Sequence, residues 1–173
     1  DSAYWFIYEH PVLTQVGSPN MEYLLANAER FQKSIGAERV NEKIATAFDL
    51  QLTNMITGRD RQSGMEAIDK VEKEMEKYEF PSKSRLKLFV EIARVQKSGD
   101  VEKLLQVCEK NIPQIEHEHL LAMFFPLSLT IKRNGNEDQQ QRILKLAKTL
   151  LAETTNDKFK FSLGQFIPYA LEK

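Results

Sequence analysis

Apolar residues recur at the spacing of an α-helix along almost the whole chain. Three such faces are Met21, Leu24, Leu25, Ala28 and Phe31; Val40, Ile44, Phe48, Leu52 and Met55; and Ile68, Val71, Met75 and Tyr78. Steps of three or four residues turn one side of a helix toward a core, whereas a half-buried strand alternates in steps of two. The short alternation of Phe159, Phe161 and Leu163 leads into further helical spacing and is also assigned to helix. The chain is therefore predicted to be all-α.

Helix starts and stops have their own residue types. Ser18, Asp100 and Asn136 are side chains that cap the first turn of a helix, and Ser63 with Glu66 has the spacing of a capping box. Gly36 is expected to end the helix that starts at Ser18, and Pro126 is expected to kink or end its helix. The predicted helices cover 3–10, 18–35, 38–57, 63–79, 82–98, 100–111, 114–133, 136–153 and 156–172.

The predicted caps also define a repeat length. Ser63, Asp100 and Asn136 lie 37 and 36 residues apart (100 − 63 and 136 − 100), with a break inside each interval, as at Pro81 and Pro113. A period in the mid-thirties is typical of stacked αα-hairpins that share a core. The detailed tetratricopeptide signature is not matched, so the expectation is a TPR-like architecture or an irregular helical bundle. One domain is predicted over 1–173, with N-terminal helices over 1–62 and three hairpins over 63–173.

Composition excludes several classes of function. The 24 basic and 25 acidic residues are interspersed, and without a concentrated basic face we expect no nucleic-acid partner. The longest apolar-rich stretch, Leu120 to Ile131, is shorter than the roughly 20 residues that span a bilayer, so no membrane span is expected. Cys108 is the single cysteine, which rules out an internal disulfide and a CxxC redox motif.

One segment resembles a known family. The stretch EYLLANAERFQKSIGAERVNEKI, from Glu22 to Ile44, follows an aromatic stretch around Trp5. It resembles the segment after the thioredoxin domain in bacterial thioredoxin-like proteins that have a helical C-terminal extension. The resembling positions are Leu24, Leu25, Asn27, Glu29, Phe31, Gly36, Val40, Asn41 and Ile44.

The resemblance also implies what the chain is attached to and where in the cell it is located. It implies that the chain is the helical extension without its thioredoxin domain, so the reactive cysteines of the family would lie elsewhere and no catalytic residue is transferred. It also implies a periplasmic or cell-envelope location, although the cytoplasm remains an alternative. The start of the chain at Asp1, without methionine, adds to the expectation that these residues are part of a larger protein.

The histidine pair, the single cysteine and the charged stretch are each explained by ordinary helix packing or solvent exposure rather than by a functional site. His117 and His119 lie two residues apart and would face opposite sides of a helix, whereas the HExxH zinc motif needs a separation of four. Cys108 shares a helical face with apolar residues and is expected to pack in the core. The charged stretch 69–79 is expected to face water. No metal site or cofactor is predicted.

The opening stretch DSAYWFIYEH is the predicted contact surface. Tyr4, Trp5 and Tyr8 belong to five adjacent large side chains that one short helix cannot bury in a single groove. The leading hypothesis is a non-catalytic helical-repeat domain that binds a protein, an attached thioredoxin-like domain or a second copy of itself. The alternative is a small helical enzyme or ligand carrier with a pocket near Trp5, Tyr8, His10 or Phe124 and Phe125.

Overall fold

The computed structural model describes residues 18–59, 64–114 and 118–173, and within these ranges it contains helices and no strand. The all-α prediction is therefore confirmed. The predicted helix over 3–10 lies outside the described residues. The helices are α1 (Pro19–Ala26), α2 (Ala28–Ile35), α3 (Ala37–Ile56), α4 (Met65–Met75), α5 (Lys83–Ser98), α6 (Val101–Asn111), α7 (Glu118–Asn134), α8 (Glu137–Glu153) and α9 (Asp157–Phe166), with a 3-10 turn at Ile112–Gln114 and a π-helical turn at Ile167–Leu171.

Most of the predicted helix caps are confirmed. The side chains of Ser18, Asp100 and Asn136 each accept a hydrogen bond from the backbone N–H three residues ahead, at 3.2, 3.0 and 2.9 Å. Asn136 also forms a capping box, because the Gln139 side chain accepts from the Asn136 backbone N–H at 3.0 Å. Gly36 ends α2 with a φ of 106°, a conformation that favours glycine. These local hydrogen bonds explain why the helices start and stop at these positions.

Two predicted boundaries are wrong. The helix expected over 18–35 is divided at Asn27, which has a non-helical φ of −115°. Its side-chain amide donates to the Tyr23 carbonyl at 2.9 Å, beside the backbone N–H bond to the same oxygen at 3.1 Å. The start of the helix predicted over 63–79 is also wrong, and the predicted capping box of Ser63 and Glu66 falls on a residue outside the described ones. Helix α4 begins at Met65 after Gly64, which has no side chain to cap it, and Ser63 lies outside the described residues.

Helix α7 continues through Pro126, as the predicted helix over 114–133 does, so of the two outcomes expected at this proline, a kink or an end, the end does not occur. Proline inside a helix costs about 3 kcal/mol because it removes a donor and crowds the preceding turn. Phe124, Leu127 and Ile131 on the same helix are fully buried. Each such side chain contributes about 1.5–3 kcal/mol on burial. The packing of the neighbouring residues therefore outweighs the local cost.

The chain divides into two compact units, and the prediction of a single domain stays a prediction. The first unit is made of Asp1–Met55 and Arg59–Ala93. Its described core comes from α1 to α5 and includes most of the apolar positions recognised by their spacing, with Leu25 only half-buried. A buried Asp49 carboxylate on α3 accepts from the Arg85 guanidinium on α5 at 3.0 Å.

The second unit is made of Ile56–Gly58 and Arg94–Lys173. In it, α6 contacts α7 and α8, α7 contacts α8 and α9, and α8 contacts α9 and the π-helical turn. Its fully or nearly fully buried side chains include Leu105, Cys108, Phe124, Ile143 and Leu163. Each helix thus packs against the next one and the one after it.

Candidate functional site

The described part of the second unit carries an open groove of about 520 Å³ on its surface. The groove is lined by Phe125 of α7 and by Ser162, Gln165, Phe166 and Tyr169 from the last two elements of the chain. Its lining is mainly aromatic carbon, with a hydroxyl and an amide at the edge. This surface, the aromatic groove, is the candidate functional site.

Helix α9 positions one wall of the aromatic groove. Its first turn is fixed by Asn156, whose side chain accepts from the Phe159 backbone N–H at 2.9 Å. Phe159 and Leu163 are buried on the inner face of α9, which leaves Ser162 and Gln165 exposed on the other side. The helical period therefore determines which side chains reach the groove.

Pro168 determines where the second wall lies. Because proline has no N–H, it cannot donate to a carbonyl of the preceding turn. The backbone widens at this point into the π-helical turn, which the Glu172 N–H closes by donating to the Ile167 carbonyl at 3.0 Å. Ile167 and Leu171 are buried by this turn while Tyr169 is 74% exposed. The wider turn thus anchors the chain and directs Tyr169 outward.

Phe125 is the floor of the aromatic groove and is held by other rings. Its ring lies edge-on to Phe159 and Phe166, with centroids 5.7 and 5.0 Å away, and to Phe124 at 6.4 Å. Edge-to-face pairs of this kind are each worth about 0.5–1.5 kcal/mol beyond the area they bury. These ring contacts therefore fix the position of Phe125 at the floor of the groove.

Charges flank the aromatic groove but do not line it. The eleven residues from Phe161 to Leu171 contain no charged side chain, in a chain that is 28% charged. At one end the Lys173 ammonium lies 4.5 Å from the centroid of the Tyr169 ring. At the other end Lys158 precedes Ser162 by four residues, one helical turn away on the same face. Polar partners would therefore meet lysines at both ends.

A second polar cluster joins α6 to α8. The Arg142 guanidinium donates to both carboxylate oxygens of Glu109 at 3.0 and 2.7 Å, and also to Glu102 at 2.9 Å. Gln139 and Gln106 donate to Glu102 as well, at 2.9 and 3.0 Å. All the donors and acceptors satisfy one another, so this cluster, the Arg142 network, is explained as a tie between helices rather than as a ligand site.

The sequence-predicted contact residues Tyr4, Trp5 and Tyr8 lie outside the described residues, as does His117. His119 lies in α7, and its side chain is not described. Among the described residues no three His, Cys, Asp or Glu side chains come together as metal ligands. Of the alternative pocket residues, Phe125 lines the aromatic groove and Phe124 is fully buried behind it.

Cys108 is buried in the second unit, as its helical face predicted. Burial, with a smaller contribution from the charge of Glu109, raises the pKa of the Cys108 thiol to about 12. Because the thiolate is the nucleophilic form, a thiol with this pKa is almost wholly unreactive at neutral pH.

Cys108 is expected to react with the thiol reagent DTNB about 1,000-fold more slowly in the folded chain at pH 8 than in urea, because so little thiolate is present. The absorbance of released nitrothiobenzoate measures the rate. A Cys108→Ala chain carrying Lys145→Cys, an exposed position on α8, is the control and should react at the rate of a free thiol. Equal rates for buried and exposed thiols would contradict the assignment.

The Arg142 network makes stability depend on pH in the acid range. Hydrogen bonds from Gln139, Arg142 and Gln106, with the charge of Arg142, lower the pKa of Glu102 from 4.5 to about 2. A depressed carboxyl pKa stabilises the fold above the unfolded value of 4.5, and this contribution disappears as the pH falls from 4.5 to 2. Glu102 remains 41% exposed, so solvent weakens the effect.

Glu102→Gln is therefore expected to lower the urea midpoint at pH 6 and to have progressively less effect between pH 4.5 and pH 2. Urea titrations followed by circular dichroism at several pH values measure the difference from wild type. Glu153→Gln, at the exposed end of α8, is the control and should show no such convergence. A Glu102→Gln difference that is constant down to pH 2 would contradict the depressed pKa.

Sequence reasoning missed Ser162, Gln165 and Tyr169 as groove residues. Two signals were present: the uncharged run from Phe161 to Leu171, and the proline within it. The position of Phe125 opposite these residues had no signal, because it depends on how α7 packs against α9. The pairing of Glu102 and Glu109 with Arg142 could not be predicted from the sequence either, because Arg142 lies on another helix.

No protein-family model, curated protein or solved structure matches this chain. No helix among the described residues combines the length and apolar character needed to cross a bilayer.

Proposed function

We propose that this chain is a non-catalytic helical-repeat domain that binds another protein through the aromatic groove. The observation that carries the proposal is the groove itself: a mostly apolar surface that is open to solvent and bordered by the exposed Tyr169. Tyrosine and phenylalanine supply large contact areas at low entropic cost in protein interfaces. Enclosed pockets with converging polar groups, the usual form of catalytic sites, differ from this shape.

The repeat part of the proposal is supported by spacing and by packing. The observed N-caps Gly64, Asp100 and Asn136 are separated by 36 residues in both intervals (100 − 64 and 136 − 100). Within the second unit each helix contacts its next two neighbours, a pattern typical of stacked αα-hairpins. The Arg142 network lies between α6 and α8, which are the first helices of consecutive hairpins.

The resemblance of residues 22–44 extends the proposal to cellular context. It suggests attachment to a thioredoxin-like domain and a location in the bacterial cell envelope. The genomic reading frame upstream of Asp1 tests this part. A thioredoxin-like domain encoded there supports it, and an unrelated upstream sequence overturns it.

Absence of thiol chemistry in the chain is part of the proposal. Dithiol exchange at one site needs two cysteines, and the only one, Cys108, is buried. In an insulin-reduction assay with dithiothreitol, the rate is expected to equal that of the no-protein control. An acceleration that persists in Cys108→Ala would contradict the non-catalytic assignment.

Site-specific photo-crosslinking in the native host tests protein binding directly. A photoreactive amino acid at Gln165, which lines the groove, is expected to give a discrete adduct with a protein, while the same group at Lys110 on α6 should give none. Tyr169→Ser should abolish the adduct because it removes the exposed ring that borders the groove, and it should leave the core intact. The proposal is overturned if the group at Gln165 gives no adduct, or if Tyr169→Ser leaves the adduct unchanged. Adducts with the chain itself would identify the partner as a second copy.

A ligand carrier is the second candidate, because a volume of about 520 Å³ lies within the range of small-molecule sites. Native mass spectrometry of the chain purified from its host tests this candidate. A bound small molecule that is lost in Tyr169→Ser would favour it over protein binding. A spectrum with the bare mass would count against it.

A further inference from the structure

One lysine stands near each end of the aromatic groove. Lys158, Ser162, Gln165 and Tyr169 follow one another at steps of four, three and four residues, so they form one helical face. Lys158 therefore stands at the first end of the groove, and Lys173 stands at the other end against the Tyr169 ring. Both lysine side chains are on exposed residues.

An acidic residue lies next to each lysine in the sequence, Asp157 beside Lys158 and Glu172 beside Lys173, but neither forms an ion pair with its neighbour. Glu172 accepts from the Lys148 ammonium at 2.7 Å. Asp157 lies in the first turn of α9, where the helix dipole favours a negative charge. Among the described residues no carboxylate forms an ion pair with Lys158 or Lys173. Each end of the groove thus presents a cation that a partner can neutralise.

We propose that the occupant of the aromatic groove is an acidic segment of another protein, with an apolar or aromatic anchor between two carboxylates. This inference rests on the proposed function and names the chemistry of its partner. The anchor side chain fills the space over Phe125, while Asp or Glu residues on either side meet Lys158 and Lys173. Complementary charge of this kind speeds association and selects the partner.

Helix geometry gives the spacing of the acidic groups. Lys158 and Lys173 lie fifteen residues apart along α9, the wider π-helical turn and the end of the described chain. At no more than 1.5 Å per residue, this corresponds to at most about 22 Å. An extended peptide covers this distance in about seven residues at 3.3 Å each. Binding is expected to weaken as sodium chloride is raised, because the lysines are exposed and their charges are screened.

Selection from a displayed library of random peptides on the full chain tests the inference. The enriched peptides are expected to carry Asp or Glu on both sides of an apolar or aromatic residue and to lose binding to Tyr169→Ser. The double variant Lys158→Glu with Lys173→Glu should instead enrich peptides with Lys or Arg at those positions. The control variant Lys110→Glu with Lys145→Glu changes the net charge equally but away from the groove lining, and should keep the acidic preference. Circular dichroism confirms that each variant is folded.

The outcomes separate this inference from the proposed function. Peptides that depend on Tyr169 but have no acidic preference would overturn the inference and leave groove-mediated protein binding in place. A selection without any Tyr169-dependent peptide would overturn both. Sedimentation of the chain with vesicles of phosphatidylserine and phosphatidylcholine, dependent on Tyr169 and on the two lysines, would assign the groove to an anionic membrane surface. That result would likewise overturn the inference.

Discussion

Phe124→Ala is expected to lower the free energy of unfolding by about 4 kcal/mol, the typical loss when a buried phenylalanine is truncated and its cavity cannot collapse. Phe124 is fully buried in α7 and its ring contacts Phe125 edge-on. Phe125 in turn supports Phe166. The substitution should therefore also loosen the aromatic groove. Urea denaturation followed by circular dichroism measures the stability change.

Phe161→Ala is the matched control for Phe124→Ala. It removes the same side chain from α9, at a position that is 72% exposed and outside the groove lining. Surface substitutions of this kind change stability by less than about 0.5 kcal/mol. A loss at Phe161 as large as the loss at Phe124 would mean that burial in the second unit is not as described.

Gly135→Ala is expected to destabilise the fold by about 2 kcal/mol, through steric strain between α7 and α8. A Cβ at Gly135 would lie 2.6 Å from the Ile131 carbonyl oxygen, closer than real Cβ atoms approach. That carbonyl is held in place because it accepts from the Gly135 N–H at 2.8 Å. The Gln139 Cβ at 3.1 Å would also have to move. Since Gln139 caps α8, the change should disturb the first turn of this helix.

Gly164→Ala, in the same unit, is expected to increase stability, whereas Gly135→Ala is expected to reduce it. Gly164 lies within α9 and a Cβ there would meet nothing within 4 Å. Alanine is a better helix former than glycine, so the variant is expected to be about 0.8–1.0 kcal/mol more stable. Thermal denaturation of both variants and the wild type measures whether Gly135→Ala lowers the melting temperature and Gly164→Ala raises it. Equal shifts for Gly135→Ala and Gly164→Ala would contradict the steric explanation.

The stability variants and the groove variants test different properties. Tyr169→Ser and the lysine substitutions alter exposed residues and should leave the unfolding transition nearly unchanged. Phe124→Ala should affect both stability and binding, because Phe124 lies behind the groove floor. Loss of binding in Tyr169→Ser with unchanged stability would therefore locate recognition in the aromatic groove itself.

Several features of the fold could be read from the sequence because they depend on neighbours in the chain. The spacing of Met21, Leu24 and Phe31 was sufficient to predict a buried helical face, and all three are fully buried. The caps at Asp100 and Asn136 were predictable since a cap is a hydrogen bond across three residues. The prediction of one helix over 18–35 was wrong because local signals conflicted at Asn27, whereas distant packing carries α7 through Pro126.

The sequence by itself determined the helical class, most of the helix boundaries and the burial of Cys108, because the helical period and the caps are local properties. The tertiary structure decided the aromatic groove and the Arg142 network. Phe125 meets Phe166 and Glu102 meets Arg142 across long separations in the chain. Such contacts depend on how α7 packs against α9 and α6 against α8, which periodicity does not encode. The candidate function therefore rests on side chains that only packing brings together.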